Sequence, residues 1–147
     1  MAIESISQIK VGDSYSEEIQ LDRATIARFI QLTRDRARGI HVDRAFAKQK
    51  GFDNLVVHGF LLAAQFSRIL GMELPGEHTV MGSIELNFHV PVYAGDTVKY
   101  TATVKRVLQP LGSVSLDLTI QKLDGTVCVA GRTTCAFKKR MGSERCH

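Results

Sequence analysis

The second half of the chain alternates hydrophobic and polar residues, a pattern typical of β-strands with one buried face. Residues 113–122 illustrate it, because Val, Leu and Ile side chains fall on one face and Ser, Asp, Thr and Gln side chains on the other. The same reasoning predicts strands over residues 79–90, 97–107 and 126–138. The pair Asp124-Gly125 predicts a two-residue hairpin turn before the last of them. A run of antiparallel strands is therefore expected.

The first half of the chain has signals for helices. Asp22 is a candidate N-cap for a helix whose apolar residues recur at helical spacing up to Leu32. Asp43 is a candidate N-cap for a second, short helix, which Gly51 would end. Residues 33–42 are mostly polar and have no clear period, so they predict an irregular loop between the two helices.

A third helix is predicted at residues 58–70, which are apolar on nearly every side and should therefore be buried. Residues 5–20 are interpreted as an approach segment that can include an edge strand. Because helices come first and antiparallel strands follow, the predicted fold class is α+β, with a sheet wrapped around one buried helix. The 147 residues, 44% of them hydrophobic, are enough for one core, so residues 1–147 are expected to form a single domain.

Composition and charge exclude several classes of function. No apolar run reaches the roughly 20 residues that a membrane-spanning helix needs, so no membrane association is expected. The first residues lack the apolar core of a signal peptide, and a cytoplasmic location is expected. The net charge of +4 suits phosphate-bearing ligands. Nucleic-acid binding is not expected, because no basic run is interleaved with aromatic residues.

The three cysteines give no sign of a disulfide or a metal site. Cys128 and Cys135 are seven residues apart in one predicted strand, so their side chains should point to opposite faces and not bridge each other. Cys146 lies near the end of the chain, in a stretch interpreted as a mobile tail. No metal-ligand spacing appears, so neither a metal nor a cofactor is expected.

Three stretches of the sequence resemble the MaoC-like, R-specific enoyl-thioester hydratases. They are FIQLTRD followed by GIHVDRAFAKQKGF, then VVHGFLLAAQFSRILG, then FHVPVYAGDTVKYTATV, and together they cover roughly residues 20–107. The order of the three is fairly specific, whereas any single stretch would be weak. The resemblance implies a hot-dog fold around the long helix near His58. It also implies a homodimer or a larger homo-oligomer with an acyl pocket at the subunit interface.

The same resemblance implies roles for particular residues. The catalytic pair of the family, an acid and a histidine, matches Asp35 and His41. The glycine whose backbone N–H polarises the thioester carbonyl matches Gly59, and the small polar residue of the helix matches Ser67. His58 can contact substrate or cap the helix, and capping is the favoured interpretation. The partner would be an acyl thioester of coenzyme A or of acyl carrier protein.

The loop that holds the pair departs from the family pattern. The family has Asp-x-Asn-Pro-x-His, whereas here Asp35 and His41 are six residues apart and Arg38 and Gly39 replace Asn and Pro. Aligned backwards from the histidine, Arg36 would take the position of the acid. We prefer the forward alignment, because an irregular loop can absorb one extra residue and the preceding helix cannot.

Each site residue also has a structural interpretation. Asp35 could pair with a neighbouring arginine, His41 could bond the backbone, and Ser67 could bond a helix carbonyl. His89 is interpreted as a structural strand residue. The basic residues near the loop could meet the phosphates of coenzyme A or form a solvated face: Arg34, Arg36, Arg38 and Lys48.

Two other functions compete with hydration. The first is a hot-dog thioesterase, although the stretch from His58 to Leu70 lacks the acid that such enzymes commonly place on or near the central helix. The second is a non-catalytic protein that binds acyl thioesters, which the altered loop would suit. Acyl-chain length and the physiological direction of the reaction stay open.

Overall fold

The computed structural model describes residues 3–138, which fold into one antiparallel sheet and three helices. The helices are α1 (Arg23–Thr33), α2 (Arg44–Gln49) and α3 (Gly59–Met72). The strands are β1 (Ser14–Gln20), β2 (Thr79–Phe88), β3 (Thr97–Leu108), β4 (Ser113–Lys122) and β5 (Val127–Phe137). The stretch interpreted as a tail, including Cys146, lies outside the described residues. No described helix is long and apolar enough to cross a bilayer.

The two predicted N-caps are confirmed. The Asp22 carboxylate accepts a hydrogen bond from the amide of Thr25 at 2.7 Å, and α1 begins at Arg23, directly after Asp22. The Asp43 carboxylate accepts one from the amide of Phe46 at 3.0 Å at the start of α2. Gly51 follows α2 with a φ of +87°, the left-handed conformation that favours glycine after a helix. These caps fix both ends of the loop at residues 34–43.

The five strands pair in the order β1-β3-β4-β5-β2, with every neighbouring pair antiparallel. The alternation in β3 and β4 predicted the core face correctly, because eight apolar residues of these strands have no exposed surface: Val98, Tyr100, Ala102, Val104, Val114, Leu116, Leu118 and Ile120. Helix α3 packs on this face. The Phe66 ring meets the Tyr100 ring edge-on at 5.0 Å, and the Tyr100 hydroxyl donates to the Leu62 carbonyl.

Burial of α3 is less complete than its apolar sequence predicted. Leu61, Leu62 and Phe66 face the sheet and are buried, but Phe60 is 84% exposed and Met72 is 68% exposed. One sheet can cover only one side of a helix, so the other side of α3 needs a further layer. Within this chain the prediction of burial on all sides is wrong.

Three local details also differ from the sequence predictions. The hairpin before β5 has three residues rather than two, because Lys122 pairs with Thr126 across residues 123–125. Strand β2 ends at Phe88, so His89 lies in the following loop and not in a strand. The thiols of Cys128 and Cys135 are buried and free, as predicted.

Candidate active site

The polar loop after α1 begins with a sharp change in chain direction. Arg34 adopts a left-handed conformation with φ +55°, and its amide donates to the Ile30 carbonyl. The next amide, that of Asp35, donates to the same carbonyl at 3.2 Å. This turn ends α1 and directs the side chain of Asp35 towards the start of α3. No pattern in the sequence predicts this turn, because arginine rarely adopts positive φ.

The carboxylate of Asp35 binds the histidine that precedes α3. Its Oδ2 lies 3.1 Å from Nε2 of His58, and its Oδ1 accepts a hydrogen bond from the Ala37 amide at 3.2 Å. His58 is 9% exposed, whereas the Asp35 side chain is 28% exposed. The contact therefore joins a partly solvated acid to a buried ring, and it replaces the arginine pairing considered from the sequence.

His58 also contacts His41, the second residue of the predicted catalytic pair. Its ring stacks on the His58 ring with centroids 3.8 Å apart and planes inclined by 21°. Its Nδ1 is 2.7 Å from the Val56 carbonyl oxygen. Because a carbonyl can only accept, Nδ1 donates this hydrogen bond, and in the neutral ring Nε2 keeps its lone pair. A backbone hydrogen bond holds the loop in place beside His41, because the Val56 amide donates to the Ile40 carbonyl at 3.0 Å.

The charges in this group follow from the contacts. The hydrogen bond from His58, followed by that from the Ala37 amide, lowers the pKa of Asp35 below its usual value. Burial lowers the pKa of His58, although the hydrogen bond to Asp35 opposes this shift. At neutral pH the acid is therefore ionised and His58 is neutral, with its Nε2–H donating to the carboxylate. The charged carboxylate and the His41 ring then contact the same neutral imidazole.

A cavity of about 270 Å³ opens beside His41 and the first turn of α3. Its walls include Gly59, Leu62 and Phe88. A Cβ atom built on Gly59 would lie 3.2 Å from the Phe88 ring, so a larger residue would crowd the cavity. The first N–H groups of a helix lack partners within it, and the His58 side chain makes no capping hydrogen bond. His58 occupies the N-cap position of α3, but the prediction that its side chain caps the helix is wrong.

Ser67 lies apart from this group. It is eight residues beyond Gly59 on α3, roughly 12 Å along the helix axis. It borders a second depression of about 340 Å³, together with Leu70 and Val80. Both depressions are bordered by residues of α3 and β2, the first near Phe88 and the second near Val80.

The structure thus brings together four of the five predicted residues: Asp35, His41, His58 and Gly59. Sequence reasoning missed two further residues beside the cavity, Phe88 and His89. The one available signal was Pro91, because proline cannot continue a ladder of hydrogen bonds and often follows the end of a strand. His41 and the amino end of α3 border the cavity, and the carboxylate of Asp35 is linked to His41 through His58. Groups of these kinds can move protons and stabilise an oxyanion.

Comparison with known proteins identifies the family. Residues 7–117 match the family described as MaoC like domain. An (R)-specific enoyl-CoA hydratase from Aeromonas caviae is 32% identical over 129 residues, which cover 86% of this chain and 94% of that enzyme. One from Rhodospirillum rubrum is 31% identical over 132 residues, or 90% of each chain. The protein belongs to the MaoC-like domain family.

The solved structures agree with the fold. The (R)-hydratase from A. caviae superposes with a TM-score of 0.82 at 30% identity, covering 88% of this chain and 98% of that one. An R-hydratase from Pseudomonas aeruginosa has a TM-score of 0.83, covers 92% and 86%, and at 24% identity supports the fold alone. The predicted hot-dog fold of class α+β is confirmed. The curated relatives are hydratases and dehydratases, which confirms the predicted enzyme class of hydro-lyase.

Proposed function

We propose that the protein adds water reversibly to trans-2-enoyl thioesters and forms (R)-3-hydroxyacyl thioesters. The observation behind the proposal is that Asp35 and His41 both contact His58, and that His41 also lines the cavity at the amino end of α3. The names of the curated relatives support the substrate class, since they include an (R)-specific enoyl-CoA hydratase and a 3-hydroxyacyl-[acyl-carrier-protein] dehydratase. Either coenzyme A or acyl carrier protein can therefore supply the thioester.

The proposed reaction requires one water molecule between Asp35 and His41. As the water oxygen bonds to the β-carbon, one of its protons passes to this pair and the C=C electrons move towards the thioester carbonyl. A proton from the pair then reaches the α-carbon, so no net proton is gained or lost. The free Nε2 of His41 and the ionised carboxylate suit these transfers. We leave base and acid unassigned, because interacting groups titrate together.

The negative charge on the thioester oxygen would be stabilised by the first turn of α3. The backbone N–H of Gly59 lies at the positive end of the helix dipole, and the missing Cβ leaves room beside the Phe88 ring. Donors of this kind typically contribute about 3 kcal/mol of transition-state stabilisation. The acyl chain would then follow the space between α3 and β2, where Ser67 borders the second depression.

A spectroscopic assay tests the proposal. With a crotonyl thioester we expect loss of the conjugated absorbance without release of free thiol. Thiol release would favour a thioesterase, and binding without either change would favour the non-catalytic protein. The stretch Gly59–Met72 has neither Asp nor Glu, which disfavours the thioesterase.

The catalytic pair is tested by Asp35→Asn and His41→Ala. Each should lower kcat by about 100-fold or more, because a positioned acid or base typically contributes that much. Asp117→Asn and His78→Ala are matched controls at exposed positions outside the site, and both should retain activity. Circular dichroism should show intact folding in all four variants. Wild-type rates in Asp35→Asn or His41→Ala would contradict the assignment.

We also propose that two copies of the chain pair through the α3 and β2 surface. Phe60, Ile84 and Phe88 are 84%, 38% and 54% exposed there, and β2 is an edge strand with one unpaired side. Unpaired edges and exposed apolar groups are typical of surfaces that a partner covers. The cavity beside Gly59 would then lie close to the second copy.

A cytoplasmic location also remains our proposal, which the two unbridged thiols support.

A further inference from the structure

We propose that His58 is a positioning residue for both catalytic groups: its Nε2–H orients the carboxylate of Asp35, and its ring face orients the imidazole of His41. This inference rests on the proposed hydratase function. It assigns His58 a role other than helix capping or substrate contact. Its evidence is the 3.1 Å contact with the acid and the 3.8 Å stack on the histidine.

The loop at residues 34–43 needs such support because it has little regular structure of its own. Within the described chain, the two partners of the Asp35 carboxylate are the Ala37 amide and His58. Ala37 belongs to the same irregular loop, so of these two partners only His58 connects the carboxylate to a fixed element. A displacement of about 1 Å in a reacting group can cost 100-fold in rate. The acid therefore depends on His58 for its position.

His58 is itself held firmly. The amide of Val57, just before it, donates to the Val92 carbonyl at 2.8 Å, and the His58 carbonyl accepts from the Leu62 amide at 3.1 Å. Its ring contacts the Phe29 ring, with centroids 5.0 Å apart, and stacks on the His41 ring. Helix α1 thus helps to hold the ring that contacts the catalytic histidine.

Packing alone does not account for a histidine at this position. The Nδ1 atom of His58 is buried and has no hydrogen-bond partner within the described residues. An unpartnered buried nitrogen costs stability, and an apolar ring would fill the same space without that cost. An apolar ring would, however, lack the Nε2–H that donates a hydrogen bond to Asp35. The titratable groups that face His58 are Asp35 and His41, and burial keeps His58 neutral between them.

Two substitutions separate the two contacts. His58→Gln keeps an N–H donor near the position of Nε2 but removes the stacked ring. His58→Phe keeps a ring and removes the donor. We expect His58→Phe to lower kcat for crotonyl-thioester hydration by about 100-fold with KM changed less than about threefold, because binding groups stay and the acid moves. His58→Gln should recover part of the loss. His78→Gln and His78→Phe are controls at a half-exposed histidine and should match wild type.

A carboxyl NMR titration gives a readout that does not depend on activity. The Asp35 signal, identified by its loss in Asp35→Asn, should titrate at higher pH in His58→Phe than in wild type, because the donor that lowers the Asp35 pKa is gone. In His58→Gln it should stay low. His58→Asn, whose amide cannot reach the position of Nε2, should behave like His58→Phe and replaces it if that variant does not fold.

The outcomes distinguish this inference from the hydratase proposal. If wild type does not hydrate the crotonyl thioester, the function is wrong, and the titration alone decides the role of His58. If wild type is active but His58→Phe and His58→Asn retain its kcat and its Asp35 titration, the positioning role is wrong. Equal effects of the Gln and Phe substitutions on the titration would also overturn it, because a merely structural role does not depend on the donor.

Discussion

At the scale of single residues, the site depends on three side chains from two separated segments. Asp35 and His41 belong to one loop, and His58 lies at the start of α3. The resemblance to known hydratases predicted the acid and the histidine, and the structure places both in contact with His58. It did not predict that a second imidazole lies between them, because that depends on the path of a loop without periodicity.

The left-handed turn at Arg34 leads to a prediction at the same scale. A residue with a Cβ at positive φ costs about 1–2 kcal/mol, and the greater freedom of glycine in the unfolded chain offsets about 0.4–1 kcal/mol of that cost. Arg34→Gly should therefore raise the free energy of unfolding by about 0.5–1 kcal/mol. Urea denaturation measures the change. Arg36→Gly is the control, since Arg36 lacks a positive φ, and should not stabilise the protein. An equal increase in the free energy of unfolding of both variants would refute the explanation by positive φ at Arg34.

At the scale of helices and strands, the pairing of β2 with β5 places Phe88 beside the amino end of α3, which borders the site. Gly131 of β5 pairs with Leu86 of β2, and a Cβ on Gly131 would overlap the backbone carbonyl of Glu85. The strands can approach this closely only because the glycine has no side chain. The position of the cavity wall therefore depends on a residue far from the catalytic pair.

Gly131→Ala should destabilise the protein by about 2 kcal/mol or more, because the backbone must shift to relieve the overlap. It should also reduce hydration, since Phe88 moves with β2. Thermal melting and the crotonyl assay measure both effects. The control is Ala130→Gly at the neighbouring residue, which increases backbone flexibility without creating an overlap. It should lower the free energy of unfolding by only about 0.5–1 kcal/mol. Wild-type stability of Gly131→Ala would contradict the prediction, because β2 would then shift without a loss of stability.

At the scale of the whole molecule, residues 3–138 of one chain leave the side of α3 that is turned away from the sheet uncovered. Phe60 is almost fully exposed there, beside a cavity that the proposed reaction needs. A second copy would cover this surface and remove water from the site. Exclusion of water strengthens the electrostatic interactions on which catalysis depends.

Phe60→Lys should therefore shift the protein from dimer towards monomer and lower its activity. A charge placed in an apolar interface costs several kcal/mol of association free energy when it is unpaired. Sedimentation velocity measures the shift. Leu111→Lys, at an exposed apolar residue in the turn between β3 and β4, is the matched control and should remain dimeric. A monomeric wild type would contradict the proposed pairing.

The sequence by itself determined the helices, the caps of α1 and α2, the strands and the core face of β3 and β4. These features depend on the spacing of apolar residues and on caps a few positions away, so neighbours along the chain encode them. Tertiary structure alone decided the strand order, the exposed side of α3, the place of His89 beside the cavity and the bond between Asp35 and His58. Those contacts join segments far apart in sequence, and only the folded path of the chain between them fixes which side chains meet.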